Sequence, residues 1–293
     1  MKNKTLLSLS LIFAVLVGLF LVQTYLPEIW PKSSPYLKKM GTVNKNNLAR
    51  IEISYNKDNI VLEKDGSIWK LNSAKVAPSA IEALISGLFV TTEPETVAQT
   101  DIKHKELEVT PEAAIRIKLS EKTALLIGKA NYPGVFARFD DDNTVYLLKE
   151  LDQSQVATEV QPWLDKTVFA AAPDKIQKLT FTKESKDYFL VKKDGKWLNS
   201  ENGKEVAKEK TDALLAQLSN LNARSVVIKD TPITGFAASP ELKVVIALEG
   251  GTETLELSKG KDIYLVKRLS DGQQFLVAEA SLSKLLSAPE ELF

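Results

Sequence analysis

Residues 60–69 read IVLEKDGSIW, and residues 188–197 read YFLVKKDGKW. In both stretches an apolar run ends at an Asp-Gly pair, and the chain resumes at a tryptophan, Trp69 or Trp197. Asp-Gly between apolar runs is typical of a tight β-hairpin, because its turn needs residues that tolerate a positive φ. The two stretches therefore predict two hairpins of one design, and they indicate that the chain repeats itself.

An amphipathic helix is predicted after each hairpin. Apolar residues recur at helical spacing over residues 78–89 and again over residues 208–221. In the first of these, Ser79 is followed three residues later by Glu82, which predicts a capping box at the helix N-terminus.

Short apolar segments separated by turn residues follow each helix and predict a meander of about four strands. Closing helices are predicted at residues 151–163 and 281–286. Strands and helices do not alternate in the manner of a parallel sheet. We therefore predict an α+β fold with two repeat units, residues 48–169 and 174–293, each an antiparallel sheet with one main helix and a short closing helix.

The N-terminal run at residues 5–26 contains no charged side chain. About 20 residues of helix cross a hydrocarbon core of roughly 30 Å, so this run predicts a transmembrane helix. A cleaved signal peptide is the alternative, but its apolar core would be shorter and would end in small residues, unlike the VQTYLP of residues 22–27. Both interpretations export the rest of the chain.

The orientation of this segment follows from its flanking charges. Lys2 and Lys4 precede the run and Glu28 is the first acid after it. Because basic residues stay in the cytoplasm, residues 1–4 are predicted to be cytoplasmic. Residues 27–47 are predicted to be a tether. The predicted localisation is the bacterial inner membrane, with a single pass, a cytoplasmic N-terminus and a periplasmic C-terminal domain.

Composition excludes several classes of function. The chain has 38 basic and 38 acidic side chains, so no excess charge favours nucleic acid as a partner. It has no cysteine, which excludes disulfides, thiol catalysis and thiolate metal sites. Its only histidine, His104, lies in the polar sequence KHKE and is predicted to be an exposed loop residue.

Other candidate sites have simpler structural interpretations. The run Asp140–Asn143 lacks the spacing of an EF-hand loop and is predicted to be a hairpin turn. The two tryptophans occupy equivalent repeat positions and are predicted to be core residues rather than a carbohydrate platform. Gly128 and Gly134 do not lead into a helix as a phosphate loop would, and are predicted to serve turns. We therefore predict no catalytic, cofactor-binding or metal-binding residue and no cofactor.

With the repeat laid out, the chain resembles a bacterial membrane-anchored family, domain-of-unknown-function family 4340. The stretch 107–169 carries the resemblance through the segments LEVTPE (107–112), LIGK (126–129), ARF (137–139), TVYLL (144–148) and WLDKTVF (163–169). The proteins it resembles are often encoded beside an ABC-type transporter and an auxiliary subunit similar to those of gliding-motility systems. The resemblance implies an accessory role and carries over no catalytic residue.

Three hypotheses of function follow. The first is a non-enzymatic, membrane-anchored accessory or interaction subunit of a cell-envelope ABC-type transport or assembly system, with the transporter subunits as partners and residues 5–26 in the membrane. The second is a glycan- or lipid-binding periplasmic module that uses a cleft between the units. The third is a cell-wall hydrolase, which needs two carboxylates converging in a cleft.

Overall fold

The computed structural model describes residues 13, 15, 17, 35–229 and 231–293. Its α-helices are α1 (Pro35–Met40), α2 (Pro78–Leu88), α3 (Lys208–Ser219) and α4 (Ser283–Glu291). Short 3-10 helices cover Lys45–Asn47, Asp101–Lys103, Gln153–Val156, Pro173–Lys175 and Glu279–Leu282.

Most of the remaining ordered structure is β-strand. In chain order the strands are β1 (Arg50–Tyr55), β2 (Asp58–Asp65), β3 (Ile68–Leu71), β4 (Ala74–Lys75), β5 (Glu95–Ala98), β6 (Ile115–Ser120), β7 (Thr123–Ala130), β8 (Val135–Phe139), β9 (Val145–Leu148), β10 (Thr167–Phe169), β11 (Ile176–Lys183), β12 (Lys186–Lys193), β13 (Lys196–Asn199), β14 (Leu221–Asn222), β15 (Ser225–Val226), β16 (Leu242–Leu248), β17 (Gly251–Lys259), β18 (Ile263–Arg268) and β19 (Gln274–Ala278).

Within the described residues, no helix has both the length and the apolar character needed to cross a membrane. The predicted transmembrane helix at residues 5–26 lies outside the described residues, apart from the helical residues 13, 15 and 17. This finding contradicts two predictions: the fold class that begins with that helix, and the single-pass inner-membrane localisation. The longest described helix, α3, has 12 residues and rises about 18 Å, short of a hydrocarbon core of roughly 30 Å.

The chain forms two compact units. The first comprises the described residues up to Leu48 together with Ile85–Gln153, and the second comprises Ala49–Leu84 together with Ser154–Phe293. The repeat boundaries predicted from the sequence, 48–169 and 174–293, stay a prediction.

The first unit contains an antiparallel sheet in the order β6-β7-β8-β9-β5. Every residue of β8 and β9 is buried, so both faces of these central strands are covered. On one face Phe136 packs in a cluster with Leu107, Val109, Val145 and Leu147. The side chains of β8 alternate between the two faces, as the period of two requires.

Helix α1 packs against the first unit's sheet through Tyr36, which is fully buried. The Tyr36 ring lies 5.3 Å from that of Phe139 and 5.2 Å from that of Tyr146, and its hydroxyl donates to the Leu88 carbonyl at 2.8 Å. Residues 35–47 belong to the predicted tether, yet 35–40 form a packed helix. The alternation of polar and apolar residues there could not reveal that a tyrosine is anchored by partners about 50 to 110 residues away.

The second unit contains an antiparallel sheet in the order β13-β12-β11-β16-β17-β18-β19-β15, a short pair β10-β14, and the strands β4-β3-β2-β1. Apolar residues alternate along its strands, and the buried positions of β16 are Leu242, Val244 and Ile246. The pairing order β16-β17-β18-β19-β15 is the same as β6-β7-β8-β9-β5 in the first unit. The repeat read from the sequence is therefore seen as a repeated strand order.

Both predicted hairpins are confirmed, and their turns differ. Lys193 pairs with Lys196, so Asp194 and Gly195 are the turn residues, with φ of 51° and 80° as a type I′ turn requires. In the first hairpin Asp65 pairs with Ile68, so Gly66 takes the first turn position at φ 61°. A glycine at that position is the mark of a type II′ turn.

The two main helices are confirmed, but two details of the helix predictions are wrong. Helix α2 begins at Pro78, and the Ala77 carbonyl accepts from the N–H of Ala80, so Ser79 lies inside the first turn and cannot be the N-cap. The predicted closing helix at residues 151–163 is only the 3-10 turn Gln153–Val156. Its Ser, Thr, Val and Pro residues are poor helix formers, and the buried Trp163 anchors the segment instead.

Candidate functional site

A cavity of about 1070 Å³ opens in the second compact unit. It lies beside residues 170–173, the predicted boundary between the repeats, and we name it the junction cavity. Its lining combines two backbone segments with charged and polar side chains: Lys75, Asp165, residues 167–172, Lys175, residues 248–253, Arg268, Ser270 and Asp271.

The centre of the lining is Arg268, at the end of β18. Its Nε and Nη2 donate to the two carboxylate oxygens of Asp271 at 3.0 and 2.8 Å, a bidentate ion pair. Its Nη1 donates to the carbonyls of Thr167 and Val168 at 2.8 and 3.0 Å. The guanidinium also lies 5.0 Å from the ring centre of Phe275. Arg268 thus holds strand β10 and the β18–β19 turn together, which is a structural use of its planar set of donors.

Asp271 receives a second cation, because the Lys75 ammonium lies 3.1 Å from its Oδ2. Burial by itself would raise the pKa of Asp271. Hydrogen bonds from Arg268 and Lys75, together with the backbone N–H of Gln273, outweigh that effect and hold the pKa well below its usual range. Asp271 therefore stays ionised wherever the protein is folded near neutral pH, and it is unsuited to donate a proton.

Asp271→Asn is expected to lower the free energy of unfolding by about 2 kcal/mol at pH 7, since hydrogen bonds to a charged group contribute about 1.5–3 kcal/mol. Because the folded-state pKa is depressed, this contribution is present above the unfolded pKa of about 4 and is lost as the pH falls below it. Urea unfolding at several pH values should show the difference from wild type shrinking between pH 5 and pH 2.

The matched control for that series is Asp262→Asn, which removes an exposed carboxylate with no described side-chain partner. Its unfolding free energy should follow wild type at every pH. A difference between Asp271→Asn and wild type that is the same at pH 2 as at pH 7 would show that the ion pairs of Asp271 contribute nothing to stability.

Two further carboxylates of the lining have no cation within ion-pair distance among the described residues. Asp165 accepts the Thr167 N–H at 3.0 Å. Glu253 accepts the Thr254 and Ser270 N–H groups at 2.9 and 3.3 Å, and the Ser270 hydroxyl at 2.6 Å. By contrast, Glu249 pairs with Lys175 at 2.9 Å.

This arrangement does not have the features of a hydrolytic pair of carboxylates. Such a pair needs a general acid whose pKa is raised toward neutrality. In the junction cavity the pKa of Asp271 is shifted in the opposite direction. Across the described residues, no three His, Cys, Asp or Glu side chains are placed to hold a metal ion. The cavity presents charged and polar side chains together with backbone groups.

The prediction for His104 is wrong, because the side chain is buried at 7% exposure. Its Nε2 lies 2.8 Å from the Asn143 carbonyl, so Nε2 carries the hydrogen and donates it. The polar neighbours in the sequence concealed this, since Lys103, Lys105 and Glu106 are exposed while the ring among them is buried.

Residues 140–143 form the connection between β8 and β9, as predicted for a hairpin turn. The sequence reasoning missed Arg138, whose guanidinium donates to four backbone carbonyls: Val109 at 2.7 Å, Phe139 at 3.0 Å, Asp140 at 3.2 Å and Asp142 at 3.0 Å. An arginine inside the otherwise apolar run VFARF was the available signal. Two of these carbonyls, those of Asp140 and Asp142, belong to the connection, so Arg138 fastens it to β8. His104 fastens it to the segment that follows the 3-10 helix Asp101–Lys103.

The predictions for the two tryptophans and the two glycines are partly confirmed. Trp69 and Trp197 are buried at 9% and 7% exposure, which confirms them as core residues. Gly134 serves the β7–β8 turn with φ of 130°, also as predicted. Gly128 does not serve a turn, because it lies within β7 where the Leu107 backbone approaches closely.

Comparison with known proteins gives one match. Residues 67–239, more than half of the chain, match the family model described as domain of unknown function, DUF4340. The chain belongs to the DUF4340 family. The matched region of this DUF4340 protein runs from the first hairpin to the segment before β16, and it includes Asp165 and the 167–172 side of the junction cavity. No curated protein and no solved structure matches the chain.

Proposed function

We propose that this DUF4340 protein is a non-enzymatic interaction subunit. The observation that carries the proposal is the state of the junction cavity. Its three cations are already engaged in ion pairs, while Asp165 and Glu253 accept hydrogen bonds and have no described cation. A lining of this kind positions a bound group through its charges and hydrogen bonds.

The partner class we propose is the subunits of an ABC-type transport or assembly system. The support is the family membership together with the association of this family with genes for such transporters. Two units that repeat one strand order also suit a binding role, because duplication provides surface without requiring new chemistry.

Affinity capture of the tagged full-length chain from its native cells, in mild detergent, tests this proposal. ATP-binding and permease subunits of an ABC-type transporter should be enriched over a capture with an unrelated tagged protein of similar size. Recovery of the protein without any transporter subunit would contradict the proposal.

A polar-ligand-binding module is the second candidate, and the volume of the junction cavity favours it, since small-molecule sites typically measure about 300–1,000 Å³. Within this class a glycan suits the hydrogen-bonding lining better than a lipid chain, which would leave Arg268, Lys75 and Asp271 facing hydrocarbon. The same capture experiment separates the two candidates, because a ligand-binding module has no need of transporter subunits.

A further inference from the structure

We infer that the junction cavity binds a lysine or arginine side chain from a basic segment of the partner protein. This inference rests on the proposed interaction function and names the chemistry that the partner presents. It is carried by the charge of the lining, by its unused hydrogen-bond acceptors and by the shape of its rim.

Acidic side chains outnumber basic side chains in the lining of the cavity. Three basic and four acidic side chains line it, which leaves a net charge of −1. Lys75 and Arg268 are both held by Asp271, and Lys175 is held by Glu249. The cations of the lining are therefore occupied, and an anionic ligand would have to displace an existing ion pair. A cationic group displaces nothing.

The acceptors available to such a group can be identified. A carboxylate offers about four lone-pair sites. Asp165 uses one of them, for the Thr167 N–H, and Glu253 uses three, for Thr254 and Ser270. The remaining sites suit the N–H donors of an ammonium or guanidinium group, whose hydrogen bonds to carboxylates are among the stronger ones in proteins.

The β16–β17 end of the lining leaves open space beside the cavity. Gly250 and Gly251 lie there, at the β16–β17 turn. Neither has a φ in the left-handed region, and a Cβ built on either would meet no atom within 4 Å. Packing and backbone conformation thus do not require glycine at these two positions. The space beside these two glycines is therefore open to a bound group.

The cavity has room for a side chain carried on a peptide. A volume of about 1070 Å³ holds a lysine or arginine side chain together with its flanking residues. The aliphatic stem of such a residue would lie against the alanines 170–172, which also line the cavity.

Fluorescence anisotropy of the full-length chain with a fluorescein-labelled tetralysine peptide tests the inference, with a tetraglutamate peptide of equal length as the comparison. Tetralysine should bind and tetraglutamate should not. Binding should weaken about tenfold or more in the double variant Asp165→Asn/Glu253→Gln, because each change removes a charged acceptor while keeping its shape. The control Asp262→Asn should bind as wild type does.

A second variant guards against a folding defect in the double variant. Gly250→Lys adds an ammonium group at the rim, where the space is open, so the fold should be retained. It too should weaken tetralysine binding severalfold by like-charge repulsion. Equal binding of tetralysine and tetraglutamate, or full affinity in both Asp165→Asn/Glu253→Gln and Gly250→Lys, would overturn the inference.

The outcomes separate this inference from the proposed function. If transporter subunits are captured but wild type does not bind tetralysine, the cavity assignment fails and the proposed function stands. If tetralysine binding depends on Asp165 and Glu253 but no transporter subunit is captured, the cavity assignment stands and the proposed function fails.

Discussion

Arg138→Met is expected to lower the free energy of unfolding of this protein by about 3–4 kcal/mol. Arg138 is buried at 6% exposure and donates to four backbone carbonyls. Methionine fills the space of the aliphatic stem but donates nothing, so the carbonyls of Val109 and the acidic turn lose their donor. Each buried group left without a partner costs about 1–3 kcal/mol, and the turn carbonyls regain part of this from water.

A cation buried at the position of Arg138 needs several hydrogen-bond acceptors. Burial lowers the pKa of the guanidinium, and the carboxylates of Asp140 and Asp142 act in the opposite direction. Those carboxylates are not hydrogen-bonded to Arg138, so the backbone carbonyls provide its direct partners. Arg138→Lys should fall between wild type and Arg138→Met, because one ammonium cannot reproduce the planar arrangement of donors.

Arg116→Met is the matched control for this series. Arg116 makes an exposed ion pair with Asp140 at 3.0 Å, and exposed pairs contribute about 0–1 kcal/mol. Urea unfolding of all three variants at pH 7, analysed by linear extrapolation, measures the differences. An Arg138→Met variant as stable as Arg116→Met would show that the four hydrogen bonds do not stabilise the acidic turn.

Gly128→Ala is expected to be the second strongly destabilising substitution, by about 3 kcal/mol. A Cβ at this position would lie 2.2 Å from the Leu107 carbonyl oxygen and 2.7 Å from Cγ1 of Val109. The nearer contact is with backbone, which cannot rotate away as a side-chain end can. The same Leu107 carbonyl accepts the Lys129 N–H at 3.2 Å, so moving it away from β7 would break that hydrogen bond as well.

Gly250→Ala is the control for that experiment, since its Cβ meets nothing within 4 Å and its φ is not in the left-handed region. Its unfolding free energy should equal that of wild type or rise by a few tenths of a kcal/mol, because alanine reduces the freedom of the unfolded chain. Thermal unfolding followed by circular dichroism should separate the two variants by several degrees. If Gly128→Ala unfolds at the same temperature as Gly250→Ala, residues 107–109 do not pack closely against β7.

The predicted transmembrane helix at residues 5–26 rested on composition alone. The apolar run at residues 5–26 measures only the preference of a segment for a nonpolar environment. Crossing a membrane also requires one continuous helix of about 20 residues, and no described helix meets that requirement. Likewise, the polar neighbours of His104 described the local composition of the chain, whereas the burial of the ring depends on how the chain folds back at Asn143.

The local sequence was sufficient to predict the main helices and strands of this protein. The Asp-Gly turns, the helical spacing over 78–89 and 208–221 and the repetition of the pattern predicted both hairpins, both main helices and the antiparallel strands, because turn φ values and side-chain periodicity act over a few residues. Only the tertiary structure determined which residues come together at the sites. Lys75, Asp165 and the Arg268–Asp271 pair are distant in sequence and meet at one cavity. Arg138 reaches the carbonyl of Val109, 29 residues earlier, and Gly128 is required by a segment about 20 residues earlier. Contacts of this range depend on which strands pair, and no local pattern of residues records that choice.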